Sequence, residues 1–393
     1  MDMHSSGRVD PEATPTTKVS PQVSVIIPLW RGESVILSCL AAVTTHSGAH
    51  LAEVICVDNA SPDASAALVT HHFEDVQLLR EPVNLGFAGG VNAGLRAATG
   101  DVLVLLNQDC IVHPGWLDGL IAALALDERI AIAGCVIYSA AGAVEHAGAR
   151  LEMPLAVGRH LLQVPEQTTP VDYVTGAVFA MRRTAWPAIG EFDEGFYPAY
   201  YEETDYCRRA RQHGWEIVVT PDAMATHLAS SREWDRDPLL YWANHTRMRY
   251  RFVAKQMTRD ELLAFFPAET AAAQAEMSPF LAAARIIGAR TTLRNLDNIL
   301  ARRQGDLPEP ADPVRDRIVA EGFAALQRDA FGVAQTLMAN SYPDAPWSRM
   351  VDQYLLPAMD RVAGTDLTRR ASHRRGIGGR TRLLEWLSAY DCA

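Results

Sequence analysis

From Val23 to Asp109 the chain alternates short, almost wholly apolar runs with amphipathic stretches. "VSVIIPLW", "AEVICVDNAS", "VQLLREP" and "DVLVLLNQD" read as strands, and "ESVILSCLAAVTTH", "ASAALVTHHF" and "NLGFAGGVNAGLRAAT" read as helices between them. Strands without polar alternation are buried on both faces, and helices between them supply the cover, so this pattern predicts a doubly wound, mostly parallel α/β sheet. Between Ile130 and Thr226 the pattern is mixed, with short strands ("AIAGCVIYS", "AVFAMRR", "WEIVVTP") and an acidic helix start at "YYEETDYCRRARQHG". Helical periodicity then runs from about Met257 to Asn340, broken at "GDLPEPADP".

This organisation predicts a polar, disordered leader at 1–22, an α/β domain at 23–255 and a mainly helical region at 256–393, with no internal repeat. The composition, 48% hydrophobic and 21% charged, is that of a soluble globular chain. A net charge of -11 gives no overall reason to expect nucleic acid as a partner. No apolar run approaches the length of a membrane span and the leader has no signal-peptide core, so a cytoplasmic protein is expected. The six cysteines lack CxxC spacing and are read as reduced thiols.

Polar residues fall where strands end: Trp30 and Arg31, Asp58 and Asn59, and Asp109. In open parallel sheets ligands bind outside the carboxyl ends of the strands, so these side chains are expected around one crevice. A carboxylate ending an apolar strand must be solvated, paired or metal-bound. Asp109 is therefore either a turn cap before "HPGW" or, with Asn107 on the same strand face, a holder of Mg²⁺ or Mn²⁺ for a diphosphate. Glu202, Glu203 and Asp205 precede Arg208, Arg209 and Arg211, either as an ordinary helix-dipole pattern or as crowded carboxylates, one of which becomes a general base. His227 matters only if it folds back onto Asp109. The segment "VDNASPDAS" reads equally as a strand-to-helix turn, and the glycines of "NLGFAGGVNAG" fit neither a dinucleotide fingerprint nor a P-loop.

Together, "VSVIIPLW", "VICVDNASPDAS", "NLGFAGGVNAGL", "VLVLLNQD", "YVTGAVFAMRR", "GEFDEGF", "EETDYCRRARQHGW" and "THLAS" resemble, in order, family 2 glycosyltransferases of the GT-A fold, in particular the bacterial rhamnosyltransferase-like branch. The resemblance covers Val23 to Lys255. It implies a nucleoside pocket at Pro28, Leu29, Trp30, Glu33, Asp58 and Asn59. Asn84, Gly86, Phe87 and Asn92 lie near the donor, with Asn107 and Gln108 beside them. Asp109 becomes the last acid of a DXD metal element, completed by His227, with Mg²⁺ or Mn²⁺ as cofactor. Glu203 falls where the family places its catalytic base, with Glu202 as the reserve candidate for that role and Asp205 grouped with them. Trp30-Arg31 replaces the family's frequent Tyr-Asn, the DXD element is reduced to Asn107-Gln108-Asp109, and Glu203 stands where Asp is usual.

The activity implied is inverting transfer of a sugar from a nucleotide-diphosphate sugar to a hydroxyl of a saccharide, lipid-linked or other glycoconjugate acceptor, in bacterial surface polysaccharide synthesis. The competing readings are a catalytically degenerate nucleotide-sugar-binding module and a nucleotidyltransferase. A homo-oligomer is compatible with the helical region. The arginines of the basic segment 368–382, with Trp386 beyond it, read either as a solvated linker or as a peripheral contact with the inner face of a membrane.

Overall fold

The computed structural model describes residues 21–228 and 238–341. The leader lies outside the described residues except for its last two positions, and the basic segment 368–382 lies wholly outside them. Strand β1 (Val23–Leu29), helix α1 (Ile36–His46), β2 (Leu51–Asp58), α2 (Ser65–His72), β3 (Val76–Arg80), α3 (Gly86–Ala97) and β4 (Val102–Leu106) follow the predicted alternation. Strands β3, β2, β1 and β4 are neighbours in that order and all parallel.

The chain continues through β5 (Cys110–Val112), α4 (Trp116–Ala125), β6 (Ile130–Ser139), β7 (Val144–His146), β8 (Ala149–Glu152) and β9 (Val157–His160). Then come β10 (Thr169–Pro170), β11 (Val178–Arg182), α5 (Trp186–Ile189), α6 (Glu202–Gln212) and β12 (Glu216–His227). Strand β11 lies antiparallel between β4 and β6, while β12 runs parallel to β6 and antiparallel to β5 and β10. The sheet is thus parallel in its first half and mixed in its second. There the chain re-enters beside β4 without the crossover helix that a parallel neighbour requires.

Each sheet face carries its own apolar layer. Ile36, Leu40 and Val43 of α1 and Trp116, Leu117 and Leu120 of α4 pack on one face. Val91 and Leu95 of α3 and Tyr206 and Ala210 of α6 pack on the other. Helix α3 sits close to the strands because Gly94 has no side chain: a Cβ there would collide with Ile26 and contact Val57.

The C-terminal region is helical, as expected: α7 (Pro238–Gln256), α8 (Arg259–Gln274), α9 (Pro279–Arg294), α10 (Leu296–Asp306) and α11 (Pro313–Ser341). The "GDLPEPADP" break falls between α10 and α11. Thr258 and Glu261 cap the start of α8 reciprocally, each side chain bonded to the other's backbone N–H. Tyr250, Phe252, Phe265 and Phe323 centre a third core among these helices. Among the described residues no helix is long and apolar enough to cross a membrane.

The expected division after Lys255 falls at the end of α7, where the two sides are joined rather than separated. The Lys255 ammonium, 0% exposed, donates to Asp193 at 3.1 Å and Asp205 at 3.0 Å and meets Asp306 at 2.7 Å. Arg251 grips Asp193 through two nitrogens, and Arg209 and Gln256 bond to Asp205. Burial alone would raise both aspartates, but Lys255 with Arg251 holds Asp193, and Lys255 with Arg209 holds Asp205, below the usual carboxylate range.

Lys255→Met should therefore destabilise the chain at pH 7 by about 3 kcal/mol or more, since removing one partner of a buried ion pair strands the other. Depressed carboxyl values make this support present above about pH 4 and lost on acidification, so the difference from wild type should shrink below about pH 4. Urea denaturation at both pH values measures it; equal midpoints at pH 7 would remove the network from the account of stability.

Candidate active site

Between β4 and β12 lies a cavity of about 540 Å³, lined by Asn107, Asp109, Glu145, Glu202, Glu203 and His227 among others. Asp109 reaches it from a turn. β4 ends at Leu106, the Asn107 N–H donates to the Ala177 carbonyl at 2.9 Å, and the Cys110 N–H donates back to the Asn107 carbonyl at 3.1 Å. Asn107 and Asp109 therefore do not share a strand face, as the two-residue period suggested, because the turn intervenes. Both still line the cavity.

His227 does fold back onto Asp109. Antiparallel pairing of β12 with β5 sets His227 opposite Cys110, and its Nε2 lies 3.2 Å from Asp109 Oδ1. Glu145, on β7, stands 3.5 Å from the other ring nitrogen, Nδ1. Burial would lower the His227 value, but the hydrogen bond and charge of Asp109, with those of Glu145, bring it above the ordinary histidine range. Ligand atoms of Asp109, Cys110 and His227 all lie within 4.8 Å of one another. Cys110 belongs to the apolar core and burial holds its thiol protonated. A carboxylate oxygen and an imidazole nitrogen remain, a donor pair that a divalent cation can take.

The acidic residues of α6 separate by environment. Tyr200 and Tyr201, just ahead of the helix, adopt left-handed backbone conformations with φ of 87° and 69°. Such strain in residues with side chains persists where the surroundings over-determine it. Glu202 is 4% exposed and one of its carboxylate oxygens has no partner; burial and the adjacent Glu203 push its pKa well up, so it is held neutral. Glu203 is half-buried, and burial raises it to about 7. Asp205 does not line the cavity; its carboxylate is taken up by Arg209, Lys255 and Gln256. Its grouping with Glu202 and Glu203 as a candidate base does not match this placement. Asn92 likewise faces inward: its side chain exchanges hydrogen bonds with the Phe192 backbone at 2.9 and 3.0 Å and orders the loop before α6.

The remaining expected residues gather at the carboxyl ends of β1 and β2, next to the cavity. Gln108 clamps Trp30 through both backbone groups, at 3.0 and 2.8 Å, while the Trp30 ring, 36% exposed, lies beneath the Arg31 guanidinium. Asp58 ends β2 and accepts from the Ser61 N–H at 2.9 Å. Pro28 and Leu29 end β1, and the Leu29 carbonyl accepts from the Asn59 N–H at 2.9 Å. Glu33 accepts from the Ala64 N–H at 3.4 Å. Asn84 accepts from the Gly86 N–H at 2.7 Å. Gly86 has φ of 74° and a Cβ there would lie 2.8 Å from the Pro198 carbonyl, which instead accepts from the Phe87 N–H at 2.8 Å. The Phe87 ring lines the cavity.

Sequence reasoning did not single out Glu145, His146, His160, Tyr173, Tyr241 or His245, all of which line the cavity. They come from β7, β9, a loop and α7, where no short motif links them. The sole signal was the Glu145-His146 pair in a segment without apolar periodicity.

Residues 24–189 match the family model described as Glycosyl transferase family 2. The N-acetylglucosaminyl-diphospho-decaprenol L-rhamnosyltransferase of Mycobacterium tuberculosis is 26% identical over 229 residues, 51% of this chain and 74% of that protein. The O-antigen biosynthesis protein RfbC of Myxococcus xanthus is 26% identical over 248 residues, 58% of this chain and 19% of that protein. The solved mannosyltransferase PcManGT of Pyrobaculum calidifontis, in complex with GDP-Man and Mn²⁺, is 16% identical and superposes over 85% of this chain and 91% of that one with a TM-score of 0.45.

The raised value of Glu203 has a consequence for stability. An acid whose folded value lies above its unfolded one favours folding when protonated, and that advantage is lost as pH climbs from about 4.5 to about 7. Glu203→Gln should therefore unfold later than wild type at pH 8 and at nearly the same denaturant concentration at pH 4. A stability gain that does not depend on pH would show that Glu203 is not held in this environment.

Proposed function

We propose that this chain, which carries a family 2 glycosyltransferase domain at residues 24–189, is a GT-A enzyme that transfers a sugar from a nucleotide-diphosphate sugar to an acceptor hydroxyl with inversion. The observation that carries the reading is the meeting, in one cavity, of a carboxylate–imidazole pair and a glutamate titrating near neutrality. Asp58 and the exposed Trp30 ring hold the nucleoside, with Glu33 and Asn59 behind them. The backbone from Asn84 to Phe87 runs along the donor. Asp109 and His227 would hold the divalent cation, with Glu145 on the far nitrogen fixing the ring. When bound, that cation neutralises negative charge on the departing diphosphate.

Glu203 accepts the proton of the acceptor hydroxyl as its oxygen bonds to the anomeric carbon, and the nucleoside diphosphate departs with the electron pair of the broken bond. Glu203 is preferred to Glu202 because a base must be reachable and ionisable near the working pH. Glu202 is buried, with its carboxyl pushed well up by burial and by Glu203, whereas Glu203 is the more accessible of the two. The relatives named for decaprenyl-diphosphate and O-antigen chemistry favour a lipid-linked or growing-glycan acceptor in surface polysaccharide synthesis, with the donor sugar open.

Release of nucleoside diphosphate from a panel of nucleotide sugars, with and without Mn²⁺, tests the activity, and NMR of the product linkage tests inversion. With an active donor, Glu203→Gln should lower kcat by about 10² or more while sparing donor affinity. The wild-type rate should rise with pH through about 7, and that limb should vanish in the variant. A retained anomeric configuration, or loss in Glu202→Gln with Glu203→Gln active, would overturn the assignment.

Asp109→Ala should leave the fold intact, since the residue sits in the turn after β4 and its side chain's ion pair is with His227. Its Mn²⁺ affinity should fall at least tenfold by calorimetry. Equal affinity in the two proteins would place the cation elsewhere.

A further inference from the structure

A second cavity, of about 170 Å³, opens between α7 and the junction of α9 and α10, and Arg247, Arg251, Thr292, Asn295 and Asn298 supply its polar lining. The charges around it are unbalanced. Arg251 is neutralised by Asp193. Among the described residues Arg247 is not: its guanidinium bonds to the Tyr197 carbonyl and, at 2.8 Å, to Asn244 Oδ1, both uncharged, and its Nε is buried without a partner. Burial first, then the neighbouring Arg251, lowers its value to about 10, which still leaves it charged at neutral pH. The hydroxyl of Thr292, a residue 2% exposed, is also buried and unpaired. Asn295 and Asn298 stand exposed at the rim.

Water could satisfy a hydroxyl or an Nε–H, but it supplies no counter-charge to a half-buried guanidinium. A guanidinium, a hydroxyl and rim amides converging on one space suit a group that only accepts hydrogen bonds and carries negative charge on several oxygens. The volume is many times what a single water needs.

We propose that this cavity is a binding site for a phosphate-type oxyanion, held by Arg247 and Thr292 and separate from the cleft of Asp109 and Glu203. The site stands whether or not the cleft is a glycosyltransferase centre. Arg247 also holds the Tyr197 carbonyl, in the loop that leads into α6, so an occupant would steady the approach to Glu203 from behind. The oxyanion comes either from free phosphate or from a phospholipid headgroup.

The test is calorimetric titration of the full chain with inorganic phosphate, in EDTA and at constant ionic strength, beside the variants Thr292→Val and Arg247→Met. Saturable binding is expected, weakened about three- to tenfold in Thr292→Val, which loses one hydrogen bond in a side chain of equal shape, and abolished in Arg247→Met. Titration of phosphatidylglycerol vesicles against phosphatidylcholine vesicles separates the sources. Uptake on phosphatidylglycerol alone that phosphate competes away, and that Thr292→Val weakens, identifies the headgroup, while phosphate binding without vesicle uptake identifies the free ion. No saturable phosphate binding, or equal affinity in folded Thr292→Val and wild type, overturns the site.

Discussion

One ammonium group holds the molecule's working parts in register. Lys255 lies between carboxylates from the loop before α6, from α6 itself and from α10, at 3.1, 3.0 and 2.7 Å. A buried charge tolerates such a position only when its geometry is filled, and here Arg209, Arg251 and Gln256 fill it. The first turn of α6 carries Glu202 and Glu203, so the position of the proposed base relative to the sheet is set by these ion pairs. The sheet sets the other half of the cavity through the β12–β5 register that brings His227 to Asp109. The cavity is the space between an ionic clamp and a hydrogen-bonded ladder, both rigid.

Electrostatics then divides neighbouring carboxylates by task. Asp205 and Asp193 have cations against them and stay ionised below the usual range. Glu202, buried without one, stays neutral. Glu203, between these extremes, titrates near neutrality. Four acids close in sequence thus acquire three behaviours from burial and counter-charge alone, which is how a base can be set beside structural acids of the same chemistry.

Much of the fold was legible because short apolar runs bounded by turn residues and separated by amphipathic stretches read as strands covered on both sides, and β1, β2 and β4 carry such runs. The second half of the sheet was less so, since antiparallel insertion of β11 depends on the route of a segment with little periodicity. At the site, strand-end residues were legible through the topology of α/β sheets, as with Asp58 and Asp109. Asn92 and Asp205 drew attention as polar residues near motifs, yet their partners, Phe192 and Lys255, are remote in sequence. Glu145 was missed because its tie to His227 exists only once β7 and β12 have both joined β6. Local chemistry is written in a sequence; which buried cation answers which carboxylate is decided by packing.

Helix α7 gives Met248, Phe252 and Val253 to the third core, and its polar residues are occupied as well. Tyr241 and His245 border the cavity of Asp109 and Glu203, Arg247 and Arg251 the second one, Arg249 pairs with Glu269 of α8, and Lys255 reaches the acids beyond. Such a helix has no idle face on which substitutions can accumulate without effect. It also makes the matched region, residues 24–189, a poor guide to where a protein engineer could cut. A fragment ending before α7 would keep the sheet with Asp109 and His227 but leave Asp193 and Asp205 without their lysine, with Arg209 as the cation still paired with Asp205.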